Sequence, residues 1–228
     1  MGEMIDFPSN GAEAGGYLAT PASGRGPGVI VIQEWWGLVP HIKDVCERFA
    51  AQGFVALAPD LYHGTKVAVT EPDEAGKEMM ALELGRAAKD MSGAVDEVRR
   101  RSAGDTVGVV GFCMGGGLAM VLAAQRPDAV GACVAFYGLI PWPHAQPDFS
   151  ALAAPLQAHV AGEDGYFSPE EARKLEQRLH ELGKETEFHL YEGADHAFFN
   201  DTRPEVYDAG AARLAWDRTV DFLHARLG

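Results

Sequence analysis

Short apolar runs recur along the chain, and most are followed by a longer stretch in which polar and apolar residues alternate at helical spacing. GVIVIQ (28–33), FVALAP (54–59), TVGVVGF (106–112), VGACVAFYG (130–138) and APLQAHVAG (154–162) read as strands, and ETEFHLYEG (185–193) alternates as a strand does. The most continuous of these runs suit strands buried on both faces, the mark of a mostly parallel sheet. Between them the pattern predicts a helix from about His41 to Gln52, closed by Gly53 in the position a helix-ending glycine takes. Residues 60–73 read as a loop, and 76–101 as one long helix or two. A further helix runs to about Gln125 and stops before Pro127. Ser168-Pro169-Glu170-Glu171 carries a helix start, with a capping serine, a proline in the first turn and a glutamate reaching back. Thr202-Arg203-Pro204 is expected to open a C-terminal helix ending near Leu227. At the N-terminus, EMIDFPSNGAEAGGYLATP reads as two short strands around a Ser-Asn-Gly turn, an antiparallel edge hairpin. The sum is an α/β fold over residues 1–228 as a single domain: a mostly parallel central sheet, helices on both faces, and an antiparallel N-terminal edge.

Composition narrows the partners. The 228 residues carry a formal net charge of -14. A chain this acidic repels phosphate backbones and anionic lipid, so neither nucleic acid nor a membrane surface is an expected partner. The N-terminus has no basic start followed by an apolar run, and no apolar stretch is long enough to span a bilayer. Three cysteines, Cys46, Cys113 and Cys133, include no CxxC pair and are odd in number. A disulfide framework is therefore not expected, and a cytoplasmic location fits. No HExxH or clustered His/Cys spacing calls for a metal, and no other cofactor is expected. Whether the chain is a monomer or a homodimer is left open.

The chemistry concentrates at GFCMGGG (111–117). Gly-x-nucleophile-x-Gly after a buried strand and before a helix is the nucleophile elbow of the α/β-hydrolase fold, here with Cys113 in the place usually held by serine. The helix N-terminus at that point lowers a thiol's pKa and raises its thiolate fraction. Chain order in this fold is nucleophile, acid, histidine. Of eight histidines, only His196, in EGADHAFFN, lies in the loop after the last predicted strand. GEDGYFSPE (162–170) offers Glu163 and Asp164 in the loop where the acid belongs, and Asp164 is the choice. The oxyanion donors should be the backbone N–H of Met114 and that of Trp35 in QEWWG (33–37). Trp35 and Trp36 could wall an apolar pocket, or pack as core. Glu34 ends an apolar strand at the sheet edge where ligands bind in such folds. Tyr62, Tyr137, Tyr166 and Phe198 adjoin the motif loops and are candidate pocket linings.

Together these residues resemble the dienelactone hydrolase family, the carboxymethylenebutenolidases. QEWWG, the AQGFVALAPDLY stretch (51–62), GFCMGG, the GEDGYFSPE loop and GADHAF carry the resemblance over nearly the whole chain. It implies a Cys113–His196–Asp164 triad, and a glutamate, here Glu34, that contacts the resting thiol and yields it when substrate binds. The family also implies two arginines on the substrate carboxylate. One lies four residues after the catalytic histidine, where this chain has Asn200; for the other, Arg86 does not fall in register, and Arg203 is a nearby substitute. The implied fold and triad carry over, whereas the dienelactone substrate does not.

A thiolate leaves a tetrahedral intermediate far more readily than an ordinary alkoxide. A cysteine elbow should therefore favour esters whose own leaving group is stabilised, giving a thioester that water then hydrolyses. The expected function is hydrolysis of such an activated ester or lactone, a small molecule. A broader carboxylesterase or thioesterase is one alternative, and a non-catalytic binder on the same fold is another.

Overall fold

The apolar runs become the strands of one sheet. The computed structural model describes residues 2–9, 11–138 and 140–228. Its strands are β1 (Glu3–Ser9), β2 (Ala12–Ala19), β3 (Gly28–Ile32), β4 (Val55–Pro59), β5 (Val107–Phe112), β6 (Val130–Phe136), β7 (Leu156–Ala161) and β8 (Thr186–Tyr191). The helices are α1 (Pro40–Ala51), α2 (Pro72–Ala81), α3 (Leu84–Arg101), α4 (Met114–Gln125), α5 (Pro169–Glu181) and α6 (Ala209–Leu227). Strand order is β1-β2-β4-β3-β5-β6-β7-β8. The β1–β2 and β2–β4 pairs are antiparallel and all the others parallel. Asn10, in the middle of the expected hairpin turn, lies outside the described residues.

Every residue of β3, β4, β5 and β7 is buried, as the unbroken apolar runs of the first three require; β7 also buries Gln157 and His159. Alternation along β3 divides the core. Val29 and Val31 join one apolar cluster with α1 and α6, while Ile30 and Ile32 join another with α3 and α4. No helix among the described residues is long and apolar enough to cross a membrane.

The chain leaves β3 through α1 to β4 on one side, then crosses back to place β5 on the other. The carboxyl ends of β3 and β5 therefore flank a topological switch point, with Ile32 opposite Gly111. Loops leaving a sheet at such a point diverge and open a crevice. Here they are the Glu34–Trp35–Trp36 loop and the Cys113 turn.

Three sequence expectations need correction. The loop expected over 60–73 ends early, because a helix begins at Pro72; it is the first of the two that 76–101 form, the second of the two readings left open there, with the break at Leu82 at an extended ψ of 121°. The strand expected over 130–138 ends at Phe136, because Tyr137 turns to φ 38°. The C-terminal helix does not open at Thr202. The Thr202 hydroxyl donates to Asn200 Oδ1 at 2.6 Å instead of capping a helix. Asp208 is the cap, its carboxylate accepting from Gly210 and Ala211 N–H at 2.9 Å each.

Candidate active site

The elbow is built by backbone contact. A Cβ on Gly111 would lie 1.9 Å from the Gly115 carbonyl oxygen, and one on Gly115 would lie 2.5 Å from that of Ile32. One on Gly116 would meet Gly138 Cα at 2.7 Å. Only glycines let the strand, the turn and α4 approach this closely. Cys113, at the apex, has φ 56° and ψ -123°, a conformation that non-glycine residues rarely hold. That strain lifts the thiol off the strand and sets it at the N-terminus of α4, where the helix dipole favours negative charge.

Two loops bring the other candidates to it. Asp164 follows β7 and is buried. Its Oδ1 accepts the N–H groups of Tyr166 (2.7 Å) and Phe167 (2.9 Å), which fixes the carboxylate. Its Oδ2 accepts from His196 Nδ1 at 2.8 Å. Glu163 donates its N–H to the Ala194 carbonyl (2.9 Å), tying the two loops together, while its side chain faces the cavity. His196 sits between the rings of Tyr137 and Tyr166, each centred 5.0 Å away, and shares the cavity lining with Cys113. Burial pulls the imidazole toward its neutral form. Hydrogen bonds and charge from Asp164 and Cys113 outweigh that burial and push its pKa up to about 10.

Glu34 lies almost wholly buried beneath this group. Its Oε2 accepts from Asn200 Nδ2 at 2.6 Å and its Oε1 from the Tyr137 hydroxyl at 3.4 Å. Burial, and then the Glu34 charge, hold the Tyr137 phenol well above its usual pKa, so it remains a donor. Both carboxylate oxygens are thus met by neutral donors. Replacing Asn200 by alanine leaves one oxygen of a buried carboxylate unmatched, and is expected to cost about 1–3 kcal/mol in denaturant unfolding.

The N–H groups of Trp35 and Met114 have no hydrogen-bond partner among the described residues. They come from the two loops that flank the switch point.

A cavity of about 540 Å³ opens over Cys113, His196 and Glu34. Trp35, Trp36 and Tyr166 wall it, and Pro72 and Met79 of α2 cover it. These last two are seven residues apart, so they share one helix face. Of the candidate linings, Tyr62, Tyr137 and Phe198 are not on the wall, and neither is Asn200, the substrate-binding candidate in the place of the implied arginine. Tyr62 turns into the core and its hydroxyl reaches Met114 Sδ at 3.6 Å. Phe198 packs under Tyr137 and Tyr191, and Asn200 sits beneath Glu34. Arg203 is on the wall, its Nε on Glu205 Oε1 at 2.8 Å and its guanidinium 5.8 Å from the Trp36 ring centre. Arg86 is elsewhere, 3.7 Å from Asp90. Sequence reading missed Asp195, Glu205, Val206 and the α2 residues as cavity lining. The spacing of Pro72 and Met79 was the one available signal.

The profile of the dienelactone hydrolase family matches residues 14–227. The chain belongs to that family. As a member it is a carboxylic ester hydrolase of the α/β-hydrolase fold, acting on ester or lactone substrates. It is 40% identical to "Protein usf" of Aquifex pyrophilus, with 97% of each chain covered. It is 35% identical over the full length of both chains to a "Putative carboxymethylenebutenolidase" of Aquifex aeolicus (strain VF5). Among solved structures, a "Putative Dienelactone Hydrolase" from Klebsiella pneumoniae superposes with a TM-score of 0.87 at 27% identity, covering 98% of both chains.

Proposed function

We propose that this dienelactone hydrolase family member cleaves activated esters or lactones through Cys113, His196 and Asp164, by way of a thioester. The observation that carries the reading is Asp164 Oδ2 on His196 Nδ1, with His196 and Cys113 lining the same cavity. A proton held on His196 leaves the sulfur free to act as thiolate, the nucleophilic form.

Cys113 Sγ attacks the carbonyl carbon, and the displaced electron pair moves onto the carbonyl oxygen. The Trp35 and Met114 N–H groups receive that oxyanion, a contribution of about 10²–10³ in rate per donor. Collapse breaks the bond to the leaving oxygen, which takes the proton from His196 Nε2. The imidazole, now neutral, removes a proton from water as that water attacks the thioester. Collapse of the second intermediate breaks the carbon–sulfur bond, restores the thiolate and releases the acid. Asp164 holds Nδ1–H throughout, so Nε2 is the nitrogen that exchanges the proton.

The leaving-group balance sets the substrate. A simple alkoxide cannot compete with the thiolate for expulsion, but an enolate or phenolate can. The test is Cys113→Ser across a series of phenyl and alkyl esters. The wild type should be faster on phenyl and enol esters and lose that advantage as the leaving group becomes alkyl. A serine variant that outpaces the wild type on the phenyl esters would sink the leaving-group argument.

A further inference from the structure

We infer that the cavity selects an ester bearing a positive charge away from its reacting carbonyl, and discriminates against one bearing a carboxylate. The inference rests on the hydrolase reading above and adds the charge class of the substrate. Four acidic residues line the cavity, Glu34, Glu163, Asp195 and Glu205, against a single arginine, Arg203. Its guanidinium is already engaged by Glu205. The other cation of the site, the His196 imidazolium, is matched by Asp164. Among the described residues, Glu34, Glu163 and Asp195 have no cationic partner. An incoming carboxylate thus meets net negative charge, in a cleft whose low-dielectric walls focus the field.

The aromatic wall points the same way on separate grounds. Trp35 stands nearly edge-on to Trp36 (66°) and to Tyr166 (65°), with ring centres 5.1 and 6.5 Å apart. Aromatic faces attract cations. The wall already does so with a cation of the chain's own, since Arg203 lies over Trp36. Asn200 agrees as well. At the position where the resemblance implies a carboxylate-binding arginine, a neutral amide is buried under Glu34 and does not face the cavity.

The test uses three p-nitrophenyl esters of similar length: the neutral hexanoate, the cationic ε-aminocaproate and the anionic mono-adipate. Each kcat/KM is normalised to that ester's own rate with hydroxide. At low salt the cationic ester should exceed the anionic one by about tenfold or more, with the neutral ester between them, and the ratio should shrink as salt rises. In Glu205→Gln, which releases Arg203 and removes one negative charge, the ratio should fall at least about threefold. A ratio near one in the wild type, or preference for the adipate ester, overturns the inference. The parent reading is judged separately by the neutral ester. If the hexanoate is not turned over through Cys113, the hydrolase mechanism fails; if it is and the adipate ester wins, only the charge preference fails.

Discussion

Replacing Cys113 with alanine is expected to lower kcat/KM for p-nitrophenyl acetate by about 10⁴-fold and to leave the protein folded. The variant removes the atom that bonds to the acyl carbon, so no thioester forms. What remains is the weak assistance of the oxyanion donors and the cavity. Unfolding cannot account for the loss, because exchanging one small buried side chain for another costs on the order of 1 kcal/mol. Alanine keeps the φ 56° of the elbow under strain but adds no atom to it. The other cysteines supply the control. Cys46 and Cys133 are fully buried in apolar surroundings, which pushes both thiols up, Cys133 to about 12. Neither forms useful thiolate at neutral pH, so Cys46→Ala and Cys133→Ala should keep the wild-type rate. Steady-state assays and circular dichroism on the three variants decide it.

Asp164→Asn should bring a loss of about 10³–10⁴ in kcat in a protein that still folds, though with a lower unfolding free energy at neutral pH. Asparagine can keep its Oδ1 on the Tyr166 and Phe167 N–H groups, so the loop stays in place. Its amide nitrogen then faces His196 Nδ1 and demands an acceptor there. The ring must move its proton to Nε2, the nitrogen that has to receive one. The same change removes the carboxylate charge that helps hold His196 protonated up to about pH 10. The alkaline limb of the rate profile should therefore fall at lower pH in the variant. Stability follows the same sign. The folded pKa lies above the ordinary value of 6.5, so the pair's contribution is complete below about 6.5 and is lost as pH rises through about 10. Wild-type unfolding free energy should decline over that window, and the variant's should decline less.

Much of this site could be read along the chain because its parts are local. The elbow glycines, the loop after β7 and the loop after β8 each sit next to the strand that places them. The Ser168 cap is likewise written within four residues, and the structure forms its full reciprocal box with Glu171. What could not be read is direction. Tyr62, Tyr137 and Phe198 adjoin motif residues in sequence, yet each turns its ring into the core, because each lies in a turn or bend, where no fixed periodicity tells which way a side chain points. The cavity wall at Pro72, Met79 and Arg203 depends on how α2 and the segment before α6 are laid over the sheet, a long-range matter. Thr202 shows the same limit. Its hydroxyl could have capped a helix, and Asn200, held in place by Glu34, claims it first.

The most direct test of the thioester is to find it. Wild-type protein mixed with p-nitrophenyl acetate should release p-nitrophenol in a burst of close to one equivalent. Rapid quenching in acid at the end of that burst, followed by digestion and mass spectrometry, should place one acetyl group on the peptide bearing Cys113, and none on the peptides bearing Cys46 or Cys133. Steady turnover with no acetylated Cys113 at any quench time, or with the acetyl group on another residue, would contradict nucleophilic catalysis by this thiol.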